Sequence, residues 1–466
     1  MEKRYCNRPD WANPRVVTAG LVVLGLLGCR PATHMPDPLT PIAESYVRLV
    51  LAVGVHDPDY VDAYYGPPLW KAEADSVKLG LGEIRARAAR LLDSLNAVAL
   101  PDTAELVRLR QRYLTLQLQA LAARLDMLEG QRLGFDQESR ALYAAVAPTH
   151  DESHFQAVLA RLDGLLPGRG PVPARYEAFR RSYVIPPERV DTVFKTAIAS
   201  CRERTLRHIS LPAGEQFTLE YVKDKPWSGY NWYQGSNRSL IQVNTDLPIY
   251  IDRALDLACH EGYPGHHVYN VMLEQALVRE RGWPEYQVYP LFSPQSLIAE
   301  GTANFGIDIA FPGTERLTFE RDVLYPLAGL DPASAATYAE VQAVVEDLSY
   351  AGNEAARRYL EGRIDAAAAA DWLVRFALMS PDRAAQRVRF FDRYRSYVIN
   401  YNVGRDLVAR YVERESGAGA TPEARWRVFA ALLASPRLPP DLEARRTVNG
   451  EQGTGNGEQG TVNRER

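Results

Sequence analysis

Apolar positions in this chain recur mostly in steps of three and four. From Asp102 onward, Leu106, Leu109, Tyr113, Leu116, Ala120, Ala123 and Met127 keep that spacing; Leu114, Leu118, Leu121, Leu125 and Leu128 widen the stripe, and Gly130 ends it. A stripe of this period is an amphipathic helix, and its width predicts burial in a bundle. The same rhythm predicts helices near 38–56, 73–98, 135–146, 151–165, 173–184 and 187–208. It returns near 316–331, 333–350, 351–361, 364–378, 381–397, 402–415 and 421–436. One stretch breaks it: residues 217–222 and 239–244 alternate with period two, as half-buried strands do, around an aromatic loop at 227–235. The pattern predicts a mainly α protein with a small antiparallel sheet. A helical region, 38–210, carries no chemical signal; a second, 211–440, holds the chemistry. Asp246 is the expected cap of the next helix, with Pro248 in its first turn.

The two ends read differently. Lys3, Arg4, Arg8 and Arg15 flank an apolar run from Val16 to Leu27 that is too short to span a bilayer as a mature helix. It closes Leu26-Leu27-Gly28-Cys29, the order of a cleaved lipoprotein leader (1–29) with Cys29 as the lipid-bearing residue. An ordinary secretory signal or an uncleaved anchor is the alternative. The expectation is an exported protein, tethered by residues 30–37 and lipid-anchored to the bacterial envelope on the periplasmic side, at the outer membrane. Residues 441–466 lack an apolar face and are expected to be disordered. The 466-residue chain is long enough for one large or two ordinary domains, and its net charge of −4 argues against a nucleic-acid partner. Besides Cys6 and Cys29 only Cys201 and Cys259 remain. That excludes a disulfide framework, and Cys259 reads as small apolar packing.

Candidate chemistry concentrates in His260-Glu261-Gly262-Tyr263-Pro264-Gly265-His266-His267, which holds three of the eight histidines. Neutral imidazoles bind Zn²⁺, and an adjacent carboxylate handles the protons of a water. In H-E-x-x-H the two imidazoles stand one helical turn apart. Here, on an unbroken helix, His266 would lie about 240° around from His260 and about 9 Å along the axis, too far to share a metal. Pro264 cannot donate to the carbonyl of His260, and Gly265 permits a φ that other residues avoid, so two extra residues can be absorbed at this pair. His266 then reaches the metal, and His267 turns about 100° away toward substrate or an oxyanion. Using His267 as the ligand needs three residues absorbed, so His266 is favoured and His267 is the alternative.

Residues 293–305 begin with Ser293 as an N-cap and Pro294 at the first helical position; Pro312-Gly313 closes the helix. The segment is largely apolar, so Glu300 is expected to be buried and its carboxylate needs a partner. As a metal ligand it completes three protein donors and leaves a fourth position for water; the alternative is an ordinary buried ion pair. Asn304, one turn on, is a candidate to orient a ligand. Asn244 is a second candidate for that role or for substrate. The sheet would set an edge strand beside the metal, where an extended substrate can be held by main-chain hydrogen bonds.

H-E-x-x-P-G-H-H followed by E-G-x-A, at Glu300-Gly301-Thr302-Ala303, resembles the bacterial domain-of-unknown-function family 885, whose members resemble zinc peptidases. Tyr401-Asn402-Val403-Gly404 with Arg410 resembles that family's Y-x-x-G…R segment, and residues 60–67 (YVDAYYGP) resemble an N-terminal segment of such proteins. Where the family shows a bulky aromatic after E-G this chain has Thr302, which alters the expected pocket wall. The resemblance implies a largely helical fold with a deep cleft, similar to oligopeptidases and the thermostable carboxypeptidases. It implies Tyr401 as a hydrogen-bond donor to the tetrahedral oxyanion, and it draws attention to Arg410 as a contact for a substrate carboxylate, although a solvated or ion-paired arginine is the favoured reading there.

Together these readings predict a zinc peptidase: His260, His266 and Glu300 bind Zn²⁺, and Glu261 is the general base. A zinc amidase or esterase acting on a non-peptide substrate is one alternative. A catalytically inactive helical lipoprotein that binds a partner is the other; the retained Glu261 argues against it, since binding needs no base.

Overall fold

The computed structural model describes residues 37–100, 105–225 and 227–443. The leader with Cys29, most of the tether and nearly all of the tail therefore lie outside the described residues. The long apolar stripe forms the helix Glu105–Leu128 and buries Leu109, Tyr113, Leu114, Leu118, Leu121 and Leu125. Its core-facing line is thus the second set of leucines, with Leu106, Leu116 and Met127 only partly covered. Around it pack Thr40–His56, Leu81–Ala97, Phe135–Tyr143 and Pro294–Ala310. The helix expected over 73–98 is two, Pro68–Val77 and Leu81–Ala97, because Lys78 turns left-handed (φ 47°) and stops the first. The C-terminal helices follow the expected segments, among them Pro381–Tyr394 and Ile399–Ser416. Regions 38–210 and 211–440 share one continuous core. Among the described residues no helix is long and apolar enough to cross a membrane.

The sheet differs in detail from the expectation. The aromatic loop is itself a strand. The strands β1 (Val61–Tyr64), β2 (Gln216–Val222), β3 (Gly229–Gly235), β4 (Arg238–Asn244) and β5 (Val288–Pro290) form two sheets. In the order β2-β4-β3, β3 and β4 are an antiparallel hairpin, while β2 lies parallel to β4. Ser236 and Asn237, both at positive φ, turn the hairpin. A separate antiparallel pair joins β1 to β5. Asp246 does not cap the following helix, which begins at Ile251; its carboxylate instead accepts from the backbone N–H of Asp224 at 2.8 Å.

Cys201 and Cys259 form a disulfide with Cα atoms 5.7 Å apart. This corrects the reading of Cys259 as free apolar packing. The two residues are 58 apart in sequence, and only the packing of helix Val190–Leu206 beneath the His-Glu turn brings them together.

Candidate metal centre

The His-Glu motif sits where the helix Ile251–Leu257 widens. Residues Ala258–Gly262 form a π turn, Tyr263-Pro264 follows with a cis peptide bond, and a regular helix resumes at His266–Leu273. The backbone bonds count the absorbed residues. The N–H of Tyr263 reaches back five residues to Ala258 (3.4 Å), and that of Gly265 reaches back six to Cys259 (2.9 Å). Six is two more than the helical four. Pro264 lies inside the bulge and has no N–H to leave unpaired. Gly265 has φ −75°, so it is not there for a left-handed φ as expected. A Cβ at Gly265 would stand 1.8 Å from the carbonyl oxygen of His260, and only hydrogen fits.

The bulge sets the His260 and His266 rings edge to face with centroids 4.7 Å apart. The helix Pro294–Ala310 supplies Glu300 between them. Its Oε2 lies 3.3 Å from His260 Nε2 and 3.7 Å from His266 Nε2. Donors at about 2.1 Å from a tetrahedral ion are roughly 3.4 Å apart, so these separations fit a shared cation. Glu300 Oε2 is buried without a hydrogen-bond donor, and one ligand atom from each residue falls within 4.8 Å of the others. A second layer holds the donors in place. Asn304 Oδ1 lies 3.1 Å from His260 Nδ1, which directs that ring's proton away from Glu300 and keeps the Nε2 lone pair free. Tyr397 donates its hydroxyl to Glu300 Oε1 at 2.8 Å.

The electrostatics describe a cluster short of positive charge. Burial opposes ionisation of Glu300, yet His260 and His266 hold its carboxyl well below the usual range. Burial also works against a charged His266, but Glu300, then Glu261 and Asp62, push its pKa up to about 9. Burial raises Glu261, against the pull of both imidazoles. Glu261 Oε1 is 4.0 Å from His260 Nε2, and Oε2 has no hydrogen-bond partner. A divalent cation would supply the missing charge, so the residues present fit a metal.

The site opens on a cleft of about 430 Å³ lined by β3, the Glu300 helix and the helices Pro381–Tyr394 and Ile399–Ser416. The edge strand β3 runs beside the His-Glu turn. Asn231 donates to the Glu261 carbonyl at 2.8 Å, and a Cβ on Gly229 would meet Glu261 Oε1 at 2.8 Å. Tyr401 lines the cleft, with its ring 5.9 Å from that of Tyr397. Burial first, then Glu300, keeps its phenol protonated far above the usual range. Its own carbonyl accepts from Asn304 Nδ2 at 3.1 Å.

Three sequence expectations are corrected, and at Arg410 the solvated reading agrees with the structure. His267 does not face substrate: it is fully buried, with Nδ1 2.9 Å from Ser239 Oγ and Nε2 3.0 Å from Glu215 Oε2. It pins the bulge to the sheet. Asn244 is absent from this cleft; its amide donates to the carbonyls of Lys225 and Trp227, both at 3.0 Å, and shapes the loop before β3. Arg410 is exposed on the outer side of its helix and does not line the cleft. Thr302 is fully buried and bonds the Ala299 carbonyl, so it forms no part of the pocket wall. Among the cleft residues given no role from sequence are Tyr397 and Asp62. Tyr397 stands one turn before Tyr401, a spacing that a helix reading offers. Asp62, within the 60–67 segment, accepts from Tyr230, and burial raises its pKa to about 6.

No family model matches the chain. No curated protein sequence matches it either. Among solved structures it is similar to a protein from Colwellia psychrerythraea designated a lipoprotein, at 14% identity over 84% of this chain and 74% of that one (TM-score 0.48). It is also similar to Pyrococcus furiosus carboxypeptidase, at 14% identity over 86% and 90% (TM-score 0.44). A carboxypeptidase from Deinococcus radiodurans matches at 14% identity over 87% and 94% (TM-score 0.37).

Proposed function

We propose that this protein is a zinc-dependent hydrolase that cleaves peptide bonds. The observation that carries the reading is the convergence of His260, His266 and Glu300 at the floor of a cleft, with the buried, unpartnered carboxylate oxygen of Glu261 beside them. Two neutral imidazoles and one carboxylate are the donor set of a hydrolytic Zn²⁺ site. When bound, the ion would lower the pKa of a water and polarise the scissile carbonyl. Glu261 takes the proton of the attacking water and delivers it to the leaving amine, and its burial brings its basicity closer to that task. The Tyr401 hydroxyl donates to the oxyanion that develops on the carbonyl oxygen. Asn304 and Tyr397 hold His260 and Glu300 in their working orientations. β3 offers main-chain groups to an extended peptide along the cleft. We place the protein in the cell envelope, lipid-anchored at Cys29.

The test is metal analysis of the purified protein together with cleavage of a peptide library. About one zinc per chain and hydrolysis that stops on chelation and returns with Zn²⁺ are expected. A protein that binds no metal, or that hydrolyses equally well after chelation, would remove the proposal.

A further inference from the structure

Five arginines line the cleft: Arg253, Arg316, Arg383, Arg387 and Arg405. Three are neutralised. Arg253 and Arg316 pair with Asp256 at 3.2 and 2.9 Å, Arg316 also pairs with Glu320 at 3.0 Å, and Arg405 pairs with Asp308 and Glu346 at 2.9 and 2.7 Å. The other two have no carboxylate partner among the described residues. Arg383 donates only to the Ser228 hydroxyl, at 3.2 Å. Arg387 makes only ring contacts, its guanidinium carbon 4.9 Å from the Phe390 centroid and 5.9 Å from that of Tyr401.

Their placement is specific. Residues four apart on the helix Pro381–Tyr394 share one face, and this face is a wall of the cleft. Arg387 touches Tyr401, the hydroxyl donor proposed above. Arg383 touches Ser228, which adjoins Gly229 and through it Glu261. The two guanidiniums therefore stand beside the reacting centre, Arg387 next to Tyr401 and Arg383 next to the Ser228-Gly229 turn. Burial lowers both pKa values; for Arg383 neighbouring Arg253, Arg180 and Arg387 add to the effect and bring it to about 10. Two crowded, half-buried cations with no carboxylate in contact, Arg387 feeling only the more distant Glu300, are costly to keep unless something anionic arrives.

We propose that Arg383 and Arg387 form an anion subsite that receives a carboxylate of the substrate, either the α-carboxylate at its C-terminus or an acidic side chain. A planar guanidinium takes a carboxylate by paired hydrogen bonds. Anchoring that group would lay the neighbouring backbone between Tyr401 and Glu261. This inference rests on the hydrolase reading, and the experiment separates the two.

The full-length protein is titrated calorimetrically with 3-phenylpropanoate and with 3-phenylpropanamide, which differ in the carboxylate alone. The acid should bind about 10- to 100-fold more tightly. Arg383→Gln and Arg387→Gln should each erase most of that preference, Arg387→Lys should restore part of it, and Glu300→Ala should leave it. Equal affinity for acid and amide overturns the subsite. So does a preference lost in Glu300→Ala but kept in both arginine variants, because the carboxylate would then sit on the metal ligands. Three N-acetylated pentapeptides assign the source: one neutral with a free C-terminus, one neutral and amidated, one amidated with a single glutamate. Faster cleavage of the first identifies the α-carboxylate, and faster cleavage of the third the side chain. Equal cleavage of all three overturns the subsite and leaves the hydrolase reading standing. Acid preference with no cleavage of any peptide leaves the subsite and removes the hydrolase reading.

Discussion

Gly301 and Gly404 mark the point where the Glu300 helix and the Tyr401 helix touch backbone to backbone. A Cβ on Gly301 would lie 2.5 Å from the carbonyl carbon and oxygen of Gly404, and one on Gly404 would lie 2.5 Å from the Leu297 carbonyl oxygen. Ordinary contact begins at 3.4 Å, so Gly301→Ala must push the helices apart by about 0.9 Å. Neither obstacle is a flexible side chain, so neither can swing away. Overpacking of this kind costs about 1–3 kcal/mol, against a gain in helix propensity of about 1 kcal/mol for replacing glycine. The net loss of stability should be only about 1 kcal/mol. The functional loss should be larger. The Asn304–Tyr401 bond of 3.1 Å would lengthen to about 4 Å and break, shifting Tyr401 from Glu300 and freeing Asn304 from one of its partners. A displacement near 1 Å can cost about 100-fold in rate. Gly164→Ala is the control: Gly164 lies in the helix Glu152–Leu165 with nothing within 4 Å of an added Cβ, so it should gain about 0.5–1 kcal/mol. Urea denaturation and peptide hydrolysis, measured on both variants, check this. A Gly301→Ala protein as stabilised as Gly164→Ala, with unchanged turnover, would refute the close-contact argument.

Other outcomes follow from the same geometry. Glu261→Gln should keep metal and fold yet lose about 10²–10⁴ in rate, read by steady-state kinetics beside metal analysis; activity within a few-fold of wild type would assign the base elsewhere. Tyr397→Phe removes the donor to Glu300 Oε1 and should weaken metal affinity about 10- to 100-fold in a chelator competition. Cys201→Ser with Cys259→Ser opens a loop spanning 58 residues, for which chain entropy predicts a loss of up to about 4 kcal/mol in a denaturant titration; unchanged stability in the oxidised protein would show that the bond does not form. His267→Ala strips Glu215 and Ser239 of a buried partner and should lower stability by about 1–3 kcal/mol.

The helices were readable because burial imposes a period, and a period survives in the sequence whatever the helix packs against. Lys78 shows the limit: nothing in the pattern marks the left-handed residue that divides 68–97. The hairpin's first strand was read as a loop because Trp227, Tyr230, Trp232 and Tyr233 are aromatic on both faces, so period two is hidden. The candidate metal ligands stood out because three histidines beside Pro-Gly are rare enough to be chemical. Their partners did not. Tyr397 looks like any of the 25 tyrosines, and Arg383 and Arg387 look like the solvent face of an arginine-rich helix. Only the fold shows that they face inward. The disulfide was missed for the same reason: two cysteines 58 residues apart carry no mark of pairing.

The assignment of His267 went astray in an instructive way. The arithmetic of the bulge was sound: absorbing two residues turns His267 about 100° from the metal-facing direction. What the arithmetic cannot supply is what stands there. At that angle lies the sheet, with Ser239 on β4 and Glu215 just before β2, and Arg202 and Tyr263 complete the carboxylate's partners. A histidine beside a candidate active site thus faces protein rather than solvent, and its polar ring is fully satisfied. Its work is mechanical. The bulge that brings His266 to Glu300 gives up ordinary helical hydrogen bonds, and His267 is the next residue able to fasten it. The cluster around Glu215 does so from the sheet side and the disulfide at Cys259 from the helix side, so the two residues flanking His260 and His266 in sequence each anchor a ligand. The same short motif therefore carries both the candidate metal donors and the means of holding them, which is why its spacing departs from a regular helix without loss of a defined site.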